Sequence, residues 1–195
     1  DPSFQSQFEK EAELLRGIEV PPTEWGIRSL LLRHRPDGPI ELFHRVRDFW
    51  RKYFFSSHFL DHDKIYPFAN DYVLHLQSLG AEIIYLTGRP REAMLEGTLK
   101  ALEKWGFPLT KPQNLMMKTT DLESDEHFKT VVLKDLAPKF DRIWFFENEP
   151  LIIDEVRAAL PEICIVYVDS VHSGKAHPPN DLPRIGMSYD GPWKR

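Results

Sequence analysis

The chain has 195 residues, 42% hydrophobic and 28% charged, with a formal net charge of -5 and one cysteine. This length supports one core of ordinary size plus an insertion, and the composition excludes a disordered chain and any bilayer span of about 20 apolar residues. The negative charge argues against nucleic acid and anionic membrane as partners, and a single thiol excludes an internal disulfide and multi-thiolate metal sites.

Residues 4 to 60 carry helical periodicity: Phe4, Phe8, Leu14 and Leu15, then Trp25, Ile27 and Leu30 to Leu32, then Leu42, Phe43, Val46, Phe49, Trp50, Phe54 and Phe55. Pro21-Pro22 and "RPDGP" at 35 to 39 break this pattern into roughly three helices. The stripe Phe49, Trp50, Phe54 and Phe55 reads as core, or as packing of this segment on the rest of the protein. The regime changes near Pro67, which divides the chain into a helical segment, 1–66, and an α/β segment, 67–195.

From Pro67 helices and strands alternate. A helix at about 68 to 79 ends at Gly80, and the strand "EIIYL" comes next. A helix from Pro90, at a first helical position, runs to Trp105 and stops at Gly106. Then come the strand "NLMMK", a helix at about 125 to 137, the strand "RIWFFE", a helix from Pro150 to Leu160 and the strand "ICIVYVD". Apolar strands flanked by helices predict a parallel sheet covered on both faces. Cys164 lies in the last of these strands as a small core residue, and a chain without disulfides fits the cytoplasm. The tail after Ser170 reads as loop.

In an open α/β sheet, ligands sit beyond the carboxyl ends of the strands. There "IIYL" delivers Thr87, Gly88 and Arg89; "RIWFF" delivers Glu147, Asn148 and Glu149; and the helix opening "DEHFK" offers Lys129. Gly88 lets backbone approach a ligand closely, Thr87 donates its hydroxyl, and the next helix contributes its positive end, which suits phosphate. Lys129 adds a point charge, and Glu147 suits Mg²⁺, which takes oxygen ligands and keeps several waters. Taken singly, each element has a plain reading as a turn, a helix start or a solvated lysine. Their order and spacing point to a phosphate site. His62, His172 and His177 show no i, i+4 pairing and read as surface histidines rather than a zinc site.

Thr87-Gly88-Arg89 after an apolar strand, Lys129 on a helix ahead of the next one, and "FFENEP" at that strand's end resemble the haloacid dehalogenase-like (HAD) superfamily of phosphohydrolases over about residues 67 to 170. The resemblance implies a Rossmann-like parallel sheet with a small N-terminal helical cap, Mg²⁺ as cofactor and a small phosphomonoester as substrate. It places phosphate on Thr87, Gly88 and Arg89, a catalytic role on Thr87 and Lys129, with Lys118 and Lys134 as weaker candidates for the lysine, and the metal on Glu147 and Asn148. Glu147 stands where Asp is more usual. Arg89 is expected either to touch substrate or to brace Glu147.

The family's first motif, a strand ending in Asp-x-Asp, supplies the nucleophile that forms an aspartyl-phosphate and the acid that protonates the leaving group. Two placements stay open. "DPSF" resembles the residues that often come just after that motif, which puts the motif and first core strand ahead of Asp1 and makes the early helices a cap; alternatively "FLDHDKIYP" is the motif, with Asp61 and Asp63 as the pair. A catalytically inactive HAD-like phosphate-binding or interaction module is the rival reading. A nucleotide-binding or receiver-like domain is disfavoured, because neither GxGxxG nor GxxxxGK[ST] occurs.

Overall fold

The computed structural model describes residues 2–19, 26–120 and 122–191. Pro21, Pro22 and Trp25 lie outside them. The described chain is mixed α/β and divides into two units, Asp1–Phe54 and Phe55–Arg195. No helix among the described residues is long and apolar enough to cross a membrane.

The first unit holds α1 (Pro2–Gln7), α2 (Glu9–Leu15), α3 (Ile27–His34) and α4 (Ile40–Phe54). The expected first helix is interrupted at Phe8, whose backbone is non-helical and caps α2. Leu42 and Val46, one turn apart on α4, are buried with Leu31 of α3, and Phe8, Ile27 and Phe49 close over them. The aromatic stripe therefore splits in role. Phe49 meets the Phe8 ring edge-on at 6.4 Å within this core, while Trp50 stacks on a half-exposed Phe54 at 4.4 Å.

The second unit opens with a 3-10 helix, Ser57–His62. This corrects the reading of "FLDHDKIYP" as a strand ending in Asp-x-Asp. The backbone there turns through the Asp63 N–H to Leu60 carbonyl bond, which lets Leu60 pack with Met94, Leu115 and Met117. Residues 55–66 thus lie between the division of contacts at Phe54/Phe55 and the change of sequence regime at Pro67.

Next come α5 (Ala69–Ser78), β1 (Tyr85–Pro90), α6 (Arg91–Lys104), β2 (Leu115–Lys118), α7 (Asp125–Leu136), β3 (Trp144–Glu147), α8 (Pro150–Ala159), β4 (Cys164–Val168) and β5 (Arg184–Ile185). Local chemistry sets these limits. α5 and α6 give way to Gly80 and Gly106 at φ of 92° and 70°, Ser124 caps α7 by accepting the His127 N–H at 3.2 Å, and Pro150 starts α8.

The strands form two small parallel sheets, β1-β2 and β3-β4-β5, rather than one continuous sheet. β1 pairs from Tyr85 onward instead of from Glu82, because the Asn114 side-chain amide takes the Ile83 carbonyl (2.9 Å) and the Glu82 carboxylate (3.1 Å), so that β2 begins at Leu115. β4 is buried from Ile165 to Val168, as a strand covered on both faces should be, whereas Tyr85 to Arg89 of β1 are only partly covered. The main core, built on Phe145, Ile165 and Tyr167 of the sheet and on Ile152, Ile153 and Val156 of α8, also takes in Leu133 of α7. Leu86 of β1 packs against it.

Candidate functional site

The candidate residues gather at the carboxyl ends of β1, β2 and β3, with the first turns of α7 packed beside them. Thr87 pairs with Met117 and Pro90 with Lys118, so Gly88 and Arg89 are additional residues on β1 that bulge out of the ladder. Thr87 Oγ1 accepts the Arg89 N–H at 3.3 Å, which leaves its hydroxyl proton as a donor. A Cβ on Gly88 would overlap the carboxyl atoms of Asp125, so only glycine admits that carboxylate.

The side chains of Lys129 and Glu147 are 12% and 4% exposed, and the ammonium lies 2.5 Å from Glu147 Oε2. The other oxygen, Oε1, accepts the backbone N–H groups of Asn148 (2.9 Å) and Glu149 (3.0 Å). Three donors therefore hold a buried carboxylate at the start of α8, the form in which a buried charge is tolerated. β3 and β4 set Glu147 opposite Tyr167, whose phenol is pushed up by burial and by the Asp169 carboxylate.

Arg89 does not brace Glu147. Its guanidinium donates to Asp63 at 2.6 Å and reaches Thr98 Oγ1 at 3.5 Å, which ties the bulge to the 3-10 segment and to α6. Asn148 contributes its backbone N–H to Glu147, while its side-chain NH₂ donates to the Val171 carbonyl at 2.6 Å. Glu149 fastens the same loop by accepting the N–H and hydroxyl of Ser173, both at 2.8 Å.

Of the weaker lysine candidates, Lys134 sits exposed in the last turn of α7. Lys118 belongs to the rim: its ammonium is buried at the end of β2 and donates to Asp125 Oδ1 (2.6 Å) and to the Glu123 carbonyl (2.9 Å). Asp125 escapes a reading of the sequence because an acid after Ser124 is explained as a helix start. The signal that could have found it is its i, i+4 relation to Lys129, which puts both on one side of α7. Cys164 begins β4, at the end of the sheet away from this rim.

Comparison with protein-family models, curated proteins and solved structures gave no match for this chain.

Among the described residues no group of three or more His, Cys, Asp or Glu converges as a ready metal cage, and His62, His172 and His177 do not assemble one. A carboxylate has about four lone-pair positions. Glu147 uses three of them, so it has one left for a hard cation. That fits Mg²⁺, which binds through one or two carboxylates together with water and phosphate oxygens. Three cations on the rim each face a carboxylate: Arg89 with Asp63, Lys118 with Asp125, and Lys129 with Glu147. An arriving anion has to exchange with one of these partners or be accompanied by a further positive charge.

Proposed function

We propose that the second unit is the core of an HAD-like phosphohydrolase that acts on a small phosphomonoester with Mg²⁺. The observation that carries this reading is the joint placement of the Gly88 bulge and the Lys129–Glu147 pair. Both are reached from successive turns on one face of α7, the bulge by Asp125 and Glu147 by Lys129. Thr87 and the Gly88 amide would hold the phosphate, Lys129 would turn from Glu147 towards it, and Glu147 would hold the metal, with Asn148 supporting it through the backbone. Mg²⁺, when bound, supplies charge neutralisation on the phosphoryl oxygens.

The divided sheet supports the same reading. Among the described residues β1 and β3 each have one paired neighbour, both sheets are parallel, and α7 packs against β1 while its Leu133 joins the core around Phe145 of β3. One more parallel strand between them would produce the order β2-β1-new-β3-β4-β5 and cover the half-buried apolar run of β1. In the HAD resemblance that place belongs to the Asp-x-Asp strand, and a Rossmann-like core is part of this proposal. Its first Asp would attack phosphorus and expel the alcohol, to which its second Asp gives a proton. The second Asp would then deprotonate a water that releases phosphate and restores the first.

The test is hydrolysis of p-nitrophenyl phosphate in Mg²⁺ by the protein with such a strand in the same polypeptide. Turnover that Lys129→Ala abolishes is expected, and a Lys129→Ala variant as active as the parent refutes the assignment. Phosphate binding without any turnover supports the non-enzymatic module instead.

A further inference from the structure

The three ion pairs of the rim differ in which partner is able to leave. Glu147 is held by three donors and is 4% exposed, and Asp63 and Arg89 are both partly exposed. In the third pair the cation is fixed and the anion is not. Lys118 is 6% exposed and anchored to the Glu123 carbonyl, while its partner Asp125 is 47% exposed. The Asp125 carboxylate lies directly against Gly88, in space that any side chain at position 88 would fill, and Gly88 is outside the β1-β2 ladder. The carboxylate therefore stands between a bulged backbone and a buried ammonium.

We infer that Lys118 is a second phosphate-binding cation, and that Asp125 is the internal anion which occupies its place until a phosphoryl group displaces it. This rests on the phosphate reading of the rim. A phosphoryl oxygen and a carboxylate oxygen make the same charge-assisted bond to an ammonium. Leaving Lys118 unpaired in the buried site would be costly, so a new anion has to arrive as the old one turns into solvent. Asp125 would rotate about its own side-chain bonds while α7 stays in place, which keeps Lys129 positioned as the exchange takes place. Asp125 thereby sets a threshold: weakly charged anions fail to displace it, and a dianionic phosphate monoester succeeds.

The experiment is calorimetric titration of the 195-residue protein with inorganic phosphate, compared with Asp125→Asn, Asp125→Glu and Lys118→Met. Removing the competing charge in Asp125→Asn is expected to lower the dissociation constant at least about tenfold, as one unit charge a few ångströms away does at a protein rim. Asp125→Glu, which keeps the charge, is expected to show no such gain, and Lys118→Met to bind at least about tenfold more weakly. Phosphate binding by wild type that Asp125→Asn leaves equal or weaker, or that Lys118→Met leaves intact, overturns this inference and spares the phosphate reading. Absence of binding by every form overturns both. Should the variants fail to fold, the carboxyl ¹³C resonance of Asp125 in the wild-type protein is expected to move as phosphate is added. An unmoved resonance at phosphate saturation overturns the exchange.

Discussion

Replacing Lys129 by Met probes the interaction on which the rim is built. The ammonium lies 2.5 Å from Glu147 Oε2, and both side chains are nearly buried. At an effective dielectric near 20 the attraction at that separation is about 7 kcal/mol, most of it offset by the desolvation of both groups. Deleting the cation leaves a buried carboxylate with two of its three donors, the Asn148 and Glu149 amides. The expected loss is about 3–5 kcal/mol, which lowers Tm by roughly 10–15 °C in a domain of this size. Glu147→Gln is expected to cost a similar amount by setting an amide donor against the ammonium. The double variant, with no buried charge left, should lie within about 1 kcal/mol of wild type. Urea unfolding followed by circular dichroism gives all three values for the cycle. Single variants that each lose less than about 1 kcal/mol would show that the pair is solvated and does not hold the rim together.

Asp63→Asn provides a contrast, since both members of the Arg89–Asp63 pair are partly exposed. It is expected to cost no more than about 1 kcal/mol by the same urea assay. Gly97→Ala should destabilise by about 1–3 kcal/mol although alanine is the better helix former, because the new Cβ would lie 2.7 Å from Ser57 Cβ and Leu60 Cδ1. A stabilised variant would mean that α6 and the 3-10 helix are not in contact. Burial pushes the phenols of Tyr85 and Tyr189 up to about 12 from an ordinary 10.0. The folded chain then keeps protons that the unfolded chain releases, so their contribution is complete below pH 10 and is lost as pH rises through about 12. Melting temperatures should fall over that interval, and less steeply in Tyr85→Phe.

Where the determinants are local, the sequence can be read closely. Ser124 and Pro150 set the limits of α7 and α8, and the stripe Ile152, Ile153 and Val156 marks the buried face of α8. The start of β1 lies three residues later than the expected strand "EIIYL", which opens at Glu82, because it depends on a side chain far along the chain, the Asn114 amide on the Ile83 carbonyl. β5 reads as loop because two residues, Arg184 and Ile185, carry no periodicity and become strand only by pairing with Tyr167 and Val168. Lys129 and Glu147 are legible together because Lys129 lies in the early turns of the helix that leads into β3 and Glu147 ends that strand. The partner of Arg89 is not, since nothing local to "TGRP" indicates that Asp63 will reach it. Lys118 ends a strand on the ligand side, and the rule that singles out Thr87 and Glu147 applies equally to it.

The proposed phosphate site is tested most directly by a phosphate titration of the 195-residue protein and of Lys129→Met, each with and without Mg²⁺. Wild type is expected to bind phosphate, more tightly when Mg²⁺ takes up the charge of Glu147, and Lys129→Met to lose at least about tenfold in affinity. Equal affinity for phosphate in the two proteins would contradict the assignment of Lys129 and Glu147 to that site.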